Sequence, residues 1–208
     1  MPGDPAAAVF FENLADADVA ALKRLIKDKY MIVSLTGFMG CGKSSVGRRL
    51  SELLCCRFMD LDDVIVEREG RTVPEIFSSD GEKAFREIEK DTLKDVLTHS
   101  SENTLILSMG GGTVMTQECA EMVRANSVCI YLRASVDTLL RNLQGEAEAR
   151  PMLAGDNDLR TRIEDLMAQR AATYENTAHI IIDTDGLTVD QIADRIYKSI
   201  ADSSKNVV

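Results

Sequence analysis

The residues with the most chemistry in their spacing are Gly37-Phe-Met-Gly-Cys-Gly-Lys-Ser44, which follow the apolar run Ile32-Val33-Ser34-Leu35. This is G-x-x-x-x-G-K-[ST] behind a strand, the pattern of a phosphate-binding loop. Glycines at 37, 40 and 42 let the backbone turn sharply and aim bare N–H groups at phosphate oxygens. Lys43 has the reach for β- and γ-phosphates, and the Ser44 hydroxyl suits Mg²⁺. A helix beginning near Lys43 adds the positive end of its dipole. Gly40, Cys41, Gly42, Lys43, Ser44 and Ser45 are therefore the expected contacts to ATP. A plain Gly-rich turn is the rival reading; the strand before and the helix-like Ser45–Leu54 after weigh against it.

Further chemistry is expected wherever another apolar run ends. Asp60-Leu61-Asp62-Asp63 follows the second run. Carboxylates at i and i+2 of an extended chain point the same way, about 7 Å apart. One can then attend a metal and the other an acceptor hydroxyl. The runs ending at Met109 and Leu132 carry no acidic residue, so Asp60 is the best placed partner for Mg²⁺. A helix cap by Asp60 or Asp62 is the structural alternative. Gly110-Gly111-Gly112 follows the third run and permits close approach of backbone to ligand. Residues 145–158 form a long stretch rich in charge, Ala and Gly, with Arg150 inside it. Such a loop is a lid or is disordered, and an Arg in a lid can neutralise a phosphoryl group once water is excluded. Arg86, with Glu89 one turn on, and Arg170 lie on helices, where an isolated Arg most often serves a surface ion pair. His99 and His179 suggest no role.

The elements that must hold these residues are legible as well. Five strand candidates, 32–36, 57–60, 104–109, 128–132 and 180–183, alternate with helical stretches. That order predicts right-handed crossovers and a mostly parallel sheet covered on both faces, an α/β protein of three layers. Ligands then gather at the carboxyl ends of the strands. Thr72-x-x-Glu75 and Thr188-x-x-Gln191 are capping boxes, and Ser135 can cap the helix that follows it. Residues 1–30 form an extension with an amphipathic helix over 11–28, residues 31–200 the domain, and 201–208 a disordered tail.

The totals exclude several classes. A net charge of −10 argues against a nucleic-acid surface. Five cysteines, an odd number with no C-x-x-C pair, read as free thiols of a reducing compartment. No stretch is long and apolar enough for a membrane, and the acidic N-terminus fits neither signal nor transit peptide, so the expected location is cytoplasmic.

Six pieces together resemble the shikimate kinases, within the nucleoside-monophosphate-kinase-like P-loop fold. They are Gly37–Ser44, Asp60-Leu-Asp-Asp-Val-Ile65, Phe85-Arg-Glu-Ile-Glu89, Gly110-Gly-Gly112, Arg150-Pro-Met-Leu153 and Arg170-Ala-Ala-Thr-Tyr174, in the family's order. The resemblance implies a five-stranded parallel sheet of order 2-3-1-4-5 and ATP-dependent phosphorylation of shikimate, a step toward chorismate and the aromatic amino acids. It implies Ser44 and Asp60 for Mg²⁺, Asp62 for the acceptor hydroxyl, and Arg86 and Arg170 for the acceptor carboxylate. Gly110, Gly111 and Gly112 would lie against the ring hydroxyls, and Arg150 would close on ATP. Arg141 is a weaker match to an adenine-stacking arginine. Lys43, Asp62 and Arg150 are then the catalytic set, and the expected form is a monomer.

The departures matter too. Cys41 stands where Ala or Ser is more usual. Beside a helix N-terminus and Lys43 its thiol is expected to be acidic and alkylated unless ATP protects it, with an inert buried thiol the equal alternative. A related gluconate or nucleotide kinase stays open, although an adenylate-kinase loop would place Gly after the Lys. A kinase-like binding protein without activity is the reading from another class. A GTPase is disfavoured, since no Asn-Lys-x-Asp occurs.

Overall fold

A computed structural model describes residues 31–99, 104–144 and 158–205. Strands β1 (Ile32–Thr36), β2 (Arg57–Asp60), β3 (Leu105–Ser108), β4 (Val128–Arg133) and β5 (Ile180–Asp183) form one parallel sheet of order β2-β3-β1-β4-β5. This is the sheet that the family resemblance implies. β1 and β3 are buried from end to end, as strands covered on both faces must be, and so they lack a polar alternation. The edge strands are less covered: β2 has no buried residue, and Ile181 of β5 is 40% exposed.

The helices are α1 (Lys43–Leu54), α2 (Leu61–Glu69), α3 (Val73–His99), α4 (Gln117–Asn126), α5 (Val136–Leu143), α6 (Leu159–Thr177) and α7 (Val189–Lys205), with a 3₁₀ turn at Thr113–Met115. β1 and β3 are neighbours, yet the chain leaves β1 toward β2 and leaves β3 toward β4, in opposite directions along the sheet. Such a reversal opens a crevice at the carboxyl ends. Register brings those ends level: Leu35 pairs with Ser108, and Ser108 with Asp60.

The expected caps form. The Thr72 N–H and hydroxyl both donate to Glu75 at 2.7 Å, the Thr188 N–H donates to Gln191 at 2.9 Å, and Ser135 accepts from the Thr138 N–H at 3.3 Å. α2 starts at Leu61 rather than near Asp63, because extended Asp60 accepts the Asp62 N–H at 3.2 Å and caps the helix two residues early. Gly81 (φ 83°, ψ 170°) breaks α3, so Arg86 sits in its second segment. α7 runs past residue 200 to Lys205. The helix expected over 11–28, the expected lid with Arg150, and residues 206–208 lie outside the described residues. No helix among the described residues is long and apolar enough to cross a membrane.

One glycine of α1 is a packing device. A methyl group on Gly47 would stand 2.6 Å from the Phe58 ring of β2 and 3.2 Å from Leu35. Arg48 stacks over the same ring at 4.6 Å, which limits its escape. Overpacking costs about 1–3 kcal/mol. The helix propensity gained from Gly to Ala returns about 1 kcal/mol at most. Gly47→Ala should therefore lower the urea midpoint; an equal or higher midpoint would show that Phe58 moves aside freely.

Candidate active site

A cleft of ≈ 410 Å³ opens at the carboxyl ends of β1, β2 and β3. Gly40, Gly42, Lys43, Ser44 and Ser45 line it from the loop, Asp60 and Asp62 from the second strand end, and Ser108, Gly110 and Gly111 from the third. The loop's backbone explains its glycines. Gly40 and Gly42 hold φ of 79° and 93°, where a side chain would strain the chain. Gly42 is also the N-cap of α1 and places no side-chain oxygen on the first-turn N–H groups. Those donors are thus left for an anion. The Lys43 ammonium bends over the loop and donates to the Gly37 and Phe38 carbonyls at 2.9 and 3.0 Å.

Cys41 does not line the cleft. It is 4% exposed and belongs to the core, its N–H donating to the Phe38 carbonyl at 3.2 Å. The expectation of a thiol open to alkylation is therefore corrected: the turn that points the neighbouring N–H groups outward sends this side chain inward. Arg141 also fails to join the cleft; it is exposed and donates to Thr138 at 3.0 Å. Its neighbour Asn142 does reach the loop, donating to the Gly40 carbonyl at 2.8 Å. One step along a helix turns a side chain by about 100°, which separates the two.

The Ser44 hydroxyl donates to Asp60 Oδ2 at 2.6 Å and lies 3.3 Å from the Ser108 hydroxyl. Asp60 thus caps α2 with one oxygen and accepts from Ser44 with the other, so the cap does not exclude the expected metal role. Among the described residues no group of three or more His, Cys, Asp or Glu could hold a metal alone. A hydroxyl and one carboxylate are a hard, incomplete oxygen set, which fits a small divalent ion that keeps waters and takes phosphate oxygens. Ser108 carried no sequence signal beyond sitting at a strand end.

Asp62 is largely buried, and its carboxyl pKa is raised to about 6. Burial is the main cause, followed by the charges of Asp60 and Glu89; Lys43 and Arg86 pull the other way. A carboxylate that still binds a proton near neutrality is a competent proton acceptor at working pH.

Beyond Asp62, two arginines meet at one turn. A Cβ on Gly112 would lie 2.5 Å from Arg86 Nη2, so the guanidinium rests against that glycine. Arg86 Nη1 donates to Glu89 at 2.6 Å, and Glu89 is 2% exposed. Arg170 is buried, its Nη1 3.5 Å from the Gly111 carbonyl, which also accepts the Tyr174 hydroxyl. Neither arginine is a simple surface ion-pair residue. The loop and Asp62 line the cleft, and the two guanidiniums rest against Gly112 and the Gly111 carbonyl, beside its Gly110–Gly111 edge. This arrangement suits phosphoryl transfer to the hydroxyl of a carboxylate-bearing acceptor.

A family model described as shikimate kinase matches residues 39–201. Shikimate kinase of Thermus thermophilus is 38% identical over 168 residues, 81% of this chain and 89% of its own length. That of Geobacter metallireducens is 41% identical over 164 residues, 79% of this chain and 88% of its own. The solved shikimate kinase of Acinetobacter baumannii in complex with shikimate superposes with a TM-score of 0.80 at 29% identity, covering 89% of this chain and 99% of that one.

Proposed function

The chain belongs to the shikimate kinase family, and from this we propose how its residues divide the transfer of the γ-phosphoryl group of ATP to a shikimate hydroxyl, giving shikimate 3-phosphate and ADP. The observation that carries the division is the place of Asp62. It lines the cleft with Lys43 and Ser44 and feels the charges of both Lys43 and Arg86, with its proton affinity raised.

The loop N–H groups and Lys43 bind the phosphates, Lys43 exchanging its two carbonyl contacts for phosphoryl oxygens. Arg86 and Arg170 hold the shikimate carboxylate, and Gly110–Gly112 leave room for the ring. Asp62 orients the attacking hydroxyl and takes its proton as the O–P bond forms and the bond to ADP breaks. The transition state is loose, so position and charge matter more than covalent help. Ser44 and Asp60 would hold Mg²⁺, which would supply positive charge to the transferring phosphoryl group. Arg150, which lies outside the described residues, would complete the neutralisation of the phosphoryl oxygens. Every proposed site residue belongs to one chain, so a monomer suffices, and five free thiols suit the cytoplasm.

ADP release measured with and without shikimate tests the reading. Release should depend on shikimate and not be supported by gluconate or nucleoside monophosphates; shikimate-independent release alone would overturn it. Arg170→Ala should raise KM for shikimate by roughly 10-fold or more with little change in ATP affinity, since it removes one charged contact of the acceptor. A loss of ATP affinity instead would place Arg170 in the other half of the site.

A further inference from the structure

Resting on the reading that Arg86 holds the acceptor carboxylate, we propose that Thr113 is a positioning residue for that acceptor: its hydroxyl, acting through Glu89, fixes the Arg86 guanidinium against the Gly112 turn. Thr113 is buried and donates its hydroxyl proton to Glu89 Oε1 at 2.5 Å. Glu89 Oε2 accepts from Arg86 Nη1 at 2.6 Å. The buried carboxylate therefore has one partner per oxygen, and the two partners lie at opposite ends of one relay.

The relay has a reason to fail without its hydroxyl. Glu89 Oε1 and Asp62 Oδ1 come within 3.0 and 3.2 Å of the same point, the place where a Gly110 Cβ would stand. Two carboxylate oxygens converging there repel one another. The Thr113 hydroxyl is the donor that holds Glu89 Oε1 on its side of the turn. Without it Glu89 gains by swinging away from Asp62, and the guanidinium it carries follows. Arg86 already pairs through Nη2 with a second, more exposed carboxylate, Glu82 at 3.2 Å, which draws the guanidinium its way once Glu89 shifts. That movement takes the fork off the Gly112 backbone, next to the cleft-lining Gly110 and Gly111. A buried charged group rarely tolerates a missing partner, so the cost falls on binding.

A merely structural Thr113 would fill space and satisfy Glu89, and its loss would weaken the fold without choosing a substrate. Steady-state kinetics of Thr113→Val, Thr113→Ala and Thr113→Ser separate the two. Thr113→Val keeps the volume and removes the donor; Thr113→Ala removes the donor without any risk of overpacking. For both, KM for shikimate should rise about tenfold, which is about 1.4 kcal/mol, with kcat and KM for ATP within twofold. Thr113→Ser, which retains the hydroxyl, should restore KM. With shikimate methyl ester, which has no carboxylate for Arg86, wild type and variants should differ less than twofold in kcat/KM. An unchanged KM for shikimate, a rise shared with KM for ATP, or a penalty that persists with the ester would each overturn the proposal. Shikimate-independent wild-type turnover would instead remove the functional reading beneath it, and this inference with it.

Discussion

Asp62→Asn is expected to lower kcat by roughly 10²–10⁴, to leave ATP affinity near wild type, and to make the nucleotide-free protein more stable at pH 7.5. The first effect follows from losing the proton acceptor while keeping a side chain of nearly the same shape. The second follows from the loop contacts to the phosphates, none of which involves Asp62. The third follows from linkage. The folded-state pKa of Asp62 is about 6, against an ordinary 3.8, chiefly because the carboxylate is buried. The folded protein thus binds this proton more tightly than the unfolded chain, and its ionised form costs stability. Below about pH 4 both states are protonated and the cost is absent. It grows between about pH 4 and 6 and is complete above that. Its size is on the order of 1–3 kcal/mol. Urea unfolding of the two proteins across that range should show the variant's advantage rising with pH. Wild-type turnover would remove Asp62 from the chemistry, and equal stability at pH 7.5 would remove the strain assigned to its charge.

Lys43→Met is expected to lower kcat/KM for ATP by roughly 10²–10³, the usual effect of removing one donor aimed at developing charge. Met nearly matches the length of the lysine stem, so packing changes little. The charge does not survive, and the carbonyls of Gly37 and Phe38 lose a donor at 2.9 and 3.0 Å. Stability should fall by about 1–3 kcal/mol for that reason. Lys43 is also one of two cations that hold the Asp62 pKa down. Its loss should raise the proton affinity of Asp62 further and shift the stability–pH curve upward in pH. Calorimetric titration with ATP and turnover under saturating shikimate would check the pair of effects. Turnover within tenfold of wild type would contradict a role for Lys43 at the phosphoryl group.

Patterned residues were readable from the chain, and singular ones were not. Gly37–Ser44 is a pattern of eight, and each letter has a reason in phosphate chemistry. The strands were readable because parallel strands buried on both faces are apolar runs, and the capping boxes because they span a fixed three residues. Ser108, Thr113 and Asn142 each offer one hydroxyl or amide that gains meaning only from neighbours distant in sequence: Ser44, Glu89 and the Gly40 carbonyl. Arg86 was ambiguous for a good physical reason, since it forms ion pairs with Glu82 and Glu89 and also rests against Gly112, next to the cleft-lining glycines. Its likeness to a family member, not its spacing, pointed at a ligand. Cys41 misled because a thiol can lie beside Lys43, 3.9 Å from its ammonium, and still be closed to solvent.

Both arginines lean on the same short turn, Gly110 to Thr113, and neither is free in solvent. Arg86 keeps the charges of Glu89 and Glu82 whatever the acceptor, so it is the buried Arg170, set against the Gly111 carbonyl, that an acceptor without an anion leaves unanswered. The turn therefore acts as a gate on errors: it does little to attract the right acceptor from afar, but makes every neutral polyol of similar shape expensive to admit. Discrimination of this kind depends on how rigidly the unpaired state is enforced, so a softened turn would show itself first as tolerance of wrong acceptors rather than as a slower reaction with the right one.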